Sequence, residues 1–241
     1  MKSLIVADLH YNLRQFDWLL EVAPRYELVI LAGDLLDLAG HADLDTQIVV
    51  VSKYLARLQE LTKVVVCSGN HDADERNAAD ERVAAWLEEV RGPRTHADGE
   101  HLALANRLIT ICPWWDGPFT RQTLEDCLAA APPRAERLWI WVHHLPPNRT
   151  AVSWTGHVHD GDEFLNDLIE RFRPALVVSG HVHGAPFRRG GSWLARLATT
   201  DLVNPGRQLG GLPAFIELDL ALGTLAWTSL AGEERHELPG W

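Results

Sequence analysis

Short β-branched runs alternate with longer segments of helical period along the first ninety residues. Leu4-Ile5-Val6-Ala7 is apolar throughout and reads as a buried strand; Leu13 to Val22 follows with Leu13, Phe16, Leu19 and Leu20 at helical spacing. Leu28 to Leu31 is the next strand, with Asp43 to Leu61 a long helix behind it. Lys63 to Ser68 is a third strand. Asp74 to Val90 is expected to be helical, because Val83, Trp86, Leu87 and Val90 share one helical face. This order predicts a parallel sheet with right-handed crossovers. The middle of the chain changes character. Leu102 to Ala105 and Leu108 to Ile111 flank Asn106-Arg107 as a hairpin, although Asn-Arg is a weak turn signal. A helix around Thr120 to Ala130, a strand from Leu138 to His143, a helix from Gly161 to Phe172 and a strand from Leu176 to Ser179 come next. From Ser192 onward only strands and turns are expected, Ala214 to Leu218 and Thr224 to Thr228 among them. No linker or low-complexity tract interrupts the pattern, so residues 1–241 are expected to form one domain with two sheets and helices outside them.

Composition narrows the class. A chain of 241 residues with 46% hydrophobic and 23% charged positions is ordinary for a globular protein, which excludes disorder and collagen-like structure. At this length roughly 70% of the unfolded surface can be buried, so no disulfide scaffold is needed. Cys67, Cys112 and Cys127 are odd in number and form no CxxC pair, and they read as reduced thiols in a reducing compartment. The first apolar run is too short for a signal-peptide core or a membrane span, so a cytoplasmic protein with no membrane partner is expected. The net charge of -11 repels phosphate backbones at long range and weighs against a nucleic-acid partner.

The chemistry sits where the strands end. Strand one runs into Asp8-Leu9-His10, strand two into Gly33-Asp34-Leu35-Leu36-Asp37, and strand three into Gly69-Asn70-His71-Asp72. Later strands reach His143-His144-Leu145-Pro146-Pro147 and Gly180-His181-Val182-His183. Ligands of open α/β sheets bind beyond the carboxyl ends of strands. Asp, His and Asn there offer oxygen and nitrogen to a divalent metal. Taken singly, each glycine is a turn and each histidine a solvated or core residue. Five strand ends delivering the same ligand types to one edge are not explained by solvation.

In the order DxH, GDxxD, GNHD, HxPP and GHxH, the chain resembles the calcineurin-like metallophosphoesterases. Its motifs extend from Asp8 to His183, and Asn204-Pro205-Gly206 echoes a turn common near that family's C-terminal end. The resemblance implies an α/β fold, a four-layer αββα sandwich of two mixed β-sheets flanked by helices. It implies hydrolysis of a phosphate ester by in-line attack of a hydroxide bridging two divalent ions, with Mn, Fe, Zn, Co and Ni all compatible. Carried over residue by residue, Asp8, His10 and His183 would hold the first ion. Asn70, His144 and His181 would hold the second, and Asp34 would bridge both. His144 is preferred to His143 because the family's ligand lies two residues before a Pro, as His144 lies before Pro146. Alternation along a strand keeps both from facing the ions. His71 is expected to act as general acid or to stabilise the transferring phosphoryl group. Asp72 is expected to orient its ring and Asp37 to support the bridging region, or each is a helix N-cap or first-turn carboxylate.

Protein serine/threonine phosphatases of this kind carry arginines shortly after GDxxD and before GNHE. Here Leu38-Ala39-Gly40 follows Asp37, and Ser68 precedes Gly69. A small-molecule phosphate ester is therefore the expected partner. A diester is favoured because no arginine is visibly placed to hold a dianionic monoester. A phosphomonoesterase is the alternative, and a nuclease or a non-catalytic scaffold ranks lower; a scaffold is expected to have lost ligands that this chain keeps. The second GHVH, Gly156 to His159, lacks a preceding apolar run, so the later copy is taken as the ligand pair and His157 and His159 as loop residues that either touch substrate or are solvated. Of the ten tryptophans, Trp114, Trp115 and Trp154 fall near the motifs, and packing is preferred to base stacking for them. The stretch from Arg91 to Arg137 is expected to shape specificity.

Overall fold

The computed structural model of the chain describes residues 1–104, 106–132 and 137–238. Its first half comprises β1 (Lys2–Val6), α1 (Leu13–Val22), β2 (Leu28–Ala32), α2 (Leu44–Leu61), β3 (Lys63–Cys67), β4 (Glu75–Arg76), β5 (Arg82–Val83), α3 (Trp86–Glu89), β6 (Thr95–His96), β7 (His101–Leu104) and β8 (Arg107–Ile111). The second half comprises α4 (Pro118–Ala129), β9 (Leu138–Val142), α5 (Glu163–Phe172), β10 (Leu176–Val178), β11 (Leu194–Leu197), β12 (Thr200–Val203), β13 (Phe215–Asp219), β14 (Thr224–Ser229) and β15 (Gly232–Glu237).

Two mixed sheets result. One has seven strands in the order β15-β14-β13-β1-β2-β3-β6, the other six in the order β11-β12-β10-β9-β8-β7. The pairs β1–β2, β2–β3 and β3–β6 are parallel, as are β8–β9, β9–β10 and β10–β12. The flanking pairs are antiparallel, including the expected β7–β8 hairpin; Ala105, the end of its first predicted strand, lies outside the described residues.

The period of two along each strand explains the layers. In β1, Ile5 turns with Ile30 and Val65 toward Ile109, Ile140 and Val178 of the other sheet. Leu4 and Val6 turn the opposite way, onto Phe16 and Leu19 of α1 and Val51 and Leu55 of α2. The second sheet repeats the arrangement, placing Leu108, Trp139, Trp141 and Val177 against Leu124 and Leu128 of α4 and Leu165 and Leu168 of α5. The order is helix, sheet, sheet, helix. Strands covered on both faces need apolar residues at every position, which is why they read as unbroken runs.

The segment from Asp74 to Val90 is not the predicted helix. It forms the two-stranded β4–β5 ribbon, and only the short α3 is helical. The apolar spacing that suggested a helix begins at Val83; before it, polar side chains bond to the backbone and compete with helix formation. Asn77 Oδ1 accepts from the Ala79 and Glu81 N–H groups at 2.8 and 3.1 Å, and Asp74 Oδ1 accepts from Ala85 N–H at 2.7 Å.

The ribbon also serves α4. Gly117 precedes that helix and has no side chain to cap it. Glu81 supplies the missing acceptor, taking Phe119 N–H at 2.8 Å, Thr120 N–H at 2.7 Å and the Thr120 hydroxyl at 2.6 Å. These bonds favour the carboxylate and hold Glu81 below the usual glutamate value of 4.5, against the opposing effect of desolvation. A group with a depressed folded pKa stabilises above its unfolded value and loses that contribution as pH falls through the folded one. Glu81→Ala should therefore lower the urea midpoint at neutral pH. The gap to wild type should stay full down to about pH 4.5 and close in stronger acid. A gap that does not change with pH would sink this account.

Candidate metal centre

Loops from the carboxyl ends of five strands converge on one edge of the sandwich. The turn after β1 is zipped to the turn after β2: Asp8 N–H donates to Gly33 O at 3.0 Å and His10 N–H to Asp34 O at 2.9 Å. In the second sheet the loops after β9 and β10 are tied likewise, Gly180 N–H donating to His144 O at 2.9 Å, and across the two sheets His181 N–H donates to Asp8 Oδ1 at 3.1 Å. Two glycines make room for this approach. Gly33 has φ +83°, and a Cβ there would lie 2.4 Å from His144 Nδ1; at Gly69 a Cβ would lie 2.2 Å from Asp34 Oδ1. Asp8, His10, Asp34 and His181 themselves sit at positive φ, between 42° and 66°. Such backbone costs about 1–3 kcal/mol per residue and persists only where surrounding structure enforces it.

The expected ligands come together. Asp8, His10, Asp34 and His183 each bring one ligand atom to within 4.8 Å of the others, and so do Asp34, His144 and His181. In the first group His183 Nε2 lies 3.2 Å from Asp8 Oδ1, and His10 Nε2 lies 3.0 Å from His183 Nε2 and 3.6 Å from Asp34 Oδ2. In the second, His144 Nε2 lies 3.2 Å from the same Asp34 oxygen. Asn70 joins it through Oδ1, 2.9 Å from His181 Nδ1. Asp34 is thus common to both groups. His143 belongs to neither: it is buried beside the Cys112 backbone, and desolvation and the charge of His144 push it down to about 3.

Buried polar atoms in this cluster lack hydrogen bonds. Asp8 Oδ2 and His144 Nε2 are both inaccessible to water and make no hydrogen bond, although His144 Nε2 stands 3.2 Å from the Asp34 carboxylate; this is a costly condition for polar groups unless something else binds them. Charge is unbalanced as well. Desolvation alone would raise Asp8 and Asp34, yet His10 and His183 beside Asp8, and His144 beside Asp34, hold both below the usual carboxylate range. His144 shows the reciprocal effect. Burial would depress it, but Asp34 and Asp8 push it up to about 10. The cluster demands positive charge at its centre, and its mixed carboxylate, imidazole and amide donors suit divalent ions.

Three neighbours differ from expectation or refine it. Asp72 does not orient the His71 ring: its carboxylate accepts four backbone N–H groups, from Asp34 at 2.7 Å, Leu35 at 2.9 Å, Leu36 at 3.0 Å and Gly69 at 2.8 Å. It ties the GDxxD and GNHD loops together. Burial and the nearby Asp34 raise it to about 7. His71 Nδ1 instead accepts Leu38 N–H at 3.1 Å, with Asp37 Oδ1 3.8 Å away, and the ring stands edge-on to His10 at 4.5 Å. Asn204 is buried, and its Nδ2 donates to the carbonyls of Gly180 and Val182, at 2.9 and 3.2 Å. It braces the GHxH loop.

Other residues reach this edge from outside the five motifs, and of these Arg82 and Asp160 carried no usable sequence signal. Arg82, on the ribbon, places Nη2 3.4 Å from Asn70 O and Nε 3.6 Å from Asp116 Oδ1. The Trp114 ring lies 6.0 and 5.9 Å from those of His144 and His181. With Ser68, Val83, Leu87, Asp98 and Phe119 it lines a cavity of about 440 Å³. Asp160 Oδ2 is 3.6 Å from His181 Nε2. Trp115 Nε1 donates to Asp162 at 2.9 Å, and Trp154 packs on His159. His157 and His159 join neither ligand group.

Comparison with known proteins agrees with this geometry. The sequence model of the family described as calcineurin-like phosphoesterase matches residues 1–185. No curated protein sequence matches the chain. Among solved structures, the chain is similar to TT1561 of Thermus thermophilus, at 16% identity, 98% coverage of both chains and a TM-score of 0.61. It is also similar to the purple acid phosphatase PPD1 from yellow lupin seeds, at 14% identity and a TM-score of 0.56, covering 98% of this chain and 51% of that one. At these identities the likeness shows the fold.

Asp72 provides a direct check on how the loops are held. Truncating it leaves buried N–H donors unpaired, at about 1–3 kcal/mol each. Asp72→Ala should lower unfolding free energy in urea by about 3 kcal/mol or more, whereas Asp37→Ala, at a more exposed carboxylate, should change it by under about 1 kcal/mol. Equal effects would mean that Asp72 does not carry the loop pair.

Proposed function

We propose, from the premise that this chain belongs to the calcineurin-like phosphoesterase family, that it is a metal-dependent hydrolase of small phosphate esters and that it prefers diesters. The observation that carries this reading is that Asp34 is shared between two ligand groups in which buried Asp8 Oδ2 makes no hydrogen bond and buried His144 Nε2 faces only the Asp34 carboxylate. Asp8, His10 and His183 would hold one divalent ion; Asn70, His144 and His181 would hold a second; Asp34 would bridge them. When bound, such ions supply Lewis acidity toward phosphoryl oxygens and lower the pKa of water.

The remaining chemistry belongs to side chains. His71 Nδ1 accepts a backbone N–H, so the neutral ring carries its proton on Nε2. Desolvation first, and the neighbouring His10 and His144, hold it below its usual pKa, which keeps this tautomer neutral. In our reading His71 Nε2–H donates a hydrogen bond, keeping its proton, to the leaving oxygen or to the phosphoryl group and stabilises the charge that develops there. His144 fixes its own ring by placing Nδ1 2.7 Å from Ala32 O, which aims Nε2 into the cluster. The cavity beside Trp114 and Phe119 takes part of its lining from the Arg91 to Arg137 region where specificity is expected.

A phosphomonoesterase is the second reading, and Arg82 is the observation that favours it. Its guanidinium stands by the Asn70–His71 turn, where a dianion would be held. Asp116 pairs with that guanidinium, however, and offsets its charge, so the diester keeps first place. A cytoplasmic setting is proposed on the free thiols Cys67, Cys112 and Cys127. Among the described residues no helix is long and apolar enough to cross a membrane.

Hydrolysis of bis-(p-nitrophenyl) phosphate should exceed that of p-nitrophenyl phosphate with Mn²⁺ present and vanish after chelation. His71→Ala should lower kcat by about 10²–10⁴-fold with bound metal unchanged. Preference for the monoester would move the reading to a phosphatase, and turnover that survives chelation would overturn the metal dependence.

A further inference from the structure

The hairpin after the HxPP stretch carries the second Gly-His-Val-His, and neither of its histidines reaches the metal cluster. The next residue does. Asp160 Oδ2 lies 3.6 Å from His181 Nε2, while Nδ1 of the same ring faces Asn70 Oδ1 at 2.9 Å. A neutral imidazole has one proton for two nitrogens. If Nδ1 gives its lone pair to an ion beside Asn70, the proton sits on Nε2 and points toward Asp160. Metal-binding histidines regularly give this second N–H to a carboxylate or carbonyl, which fixes tautomer and ring orientation and strengthens the ligand. His144 has such a partner in Ala32 O.

We propose that Asp160 is the positioning residue for His181, accepting its Nε2–H and holding Nδ1 toward the second ion. This rests on the metal reading above. The observed 3.6 Å is within about 1 Å of hydrogen-bond length.

The hairpin is built to present that carboxylate. Trp154 and His159 pair across it, with rings 4.9 Å apart. Val158 O accepts both the backbone N–H and the hydroxyl of Thr155, at 3.0 and 2.8 Å, which closes the turn. Ser153 Oγ lies 3.2 Å from His159 Nδ1, and Asp160 N–H donates to Ser153 O at 2.8 Å. Trp154 Nε1 donates to Arg189 O at 3.1 Å, pinning the hairpin to the segment that follows the GHxH loop. The two histidines of the repeat therefore differ in kind from His181 and His183. His159 is part of the brace, and the residue that acts on the metal edge is the aspartate after it. Because Asp160 is largely exposed, its value lies in orienting a ring rather than in bare charge attraction.

The test uses Mn²⁺ binding rather than turnover. Metal-stripped wild-type protein titrated with Mn²⁺ by calorimetry should show two sites. Asp160→Ala should weaken one of them by about 10–100-fold, leave the other unchanged and preserve the thermal midpoint. Asp160→Glu, which keeps a carboxylate within reach, should recover most of the loss. If Asp160→Ala retains both affinities, or if Asp160→Glu is no better than Asp160→Ala, the positioning role is overturned while the metal reading stands. If wild-type protein binds fewer than two ions, the metal reading falls and this inference falls with it.

Discussion

Asp8 and Asp34 are two carboxylates buried almost completely within one cluster, and the need to balance them locally governs the rest of this edge of the molecule. Each repels the ionised form of the other, and burial alone would favour protonation of both. The chain answers with four histidines drawn from its strand-end loops. His144, fully buried, is pushed up to about 10 by the two carboxylates, so their field favours positive charge at this place. A structural core would gain by replacing such a group with packed apolar residues. Its retention, with polar atoms left unpartnered, is the physical signature of a site that binds cations.

Holding that cluster requires backbone in unfavourable conformations, and the fold offsets the cost in two ways. Strands buried on both faces contribute about 1.5–3 kcal/mol for each large apolar side chain, so the strand ends are firmly placed before the loops begin. The loops are then tied by polar side chains with no part in binding. Asp72 gathers four N–H groups from two motifs, and Asn204 gathers carbonyls from a third. Asp72 is itself a third buried carboxyl group, and burial beside Asp34 raises it to about 7, which lessens the negative charge the brace adds to the cluster it supports. The residues that hold the loops and those that would hold ions are thus one electrostatic system.

What could be read from the sequence follows from how locally each feature is encoded. Strands with two covered faces are apolar at consecutive positions, so the main strands of both sheets were legible. Asp8, Asp34, Asn70 and His181 were legible because each is a ligand type directly beyond such a strand. The helical spacing of Asp74 to Val90 occupies only its last part, whereas Asn77, Asp74 and Glu81 decide the rest through bonds that no periodicity reports. Asp72 is adjacent in sequence to His71, but its carboxylate turns back onto the loop after β2, which no sequence adjacency reports. Arg82 and Asp160 meet the site only through tertiary approach from a ribbon and a hairpin. The repeat Gly156 to His159 drew attention to its histidines, when the position that matters is one residue further on.

The overall charge and the local charge point in opposite directions, and their ranges bear on the substrate we propose. At physiological salt the screening length is about 8 Å, so an ester seated on the cluster responds to charges within that radius. In the two-ion reading four positive charges face the two carboxylates of Asp8 and Asp34, and the net attraction favours one phosphate group. A nucleic acid extends many screening lengths beyond the cluster, where it meets a chain carrying a formal charge of -11. Arg82, whose guanidinium reaches the Asn70 carbonyl, is matched by Asp116 and does not extend the positive region outward. A centre of this kind attracts a small ester at short range and gains nothing from a longer polyanion, which is the electrostatic reason for reading the substrate as small.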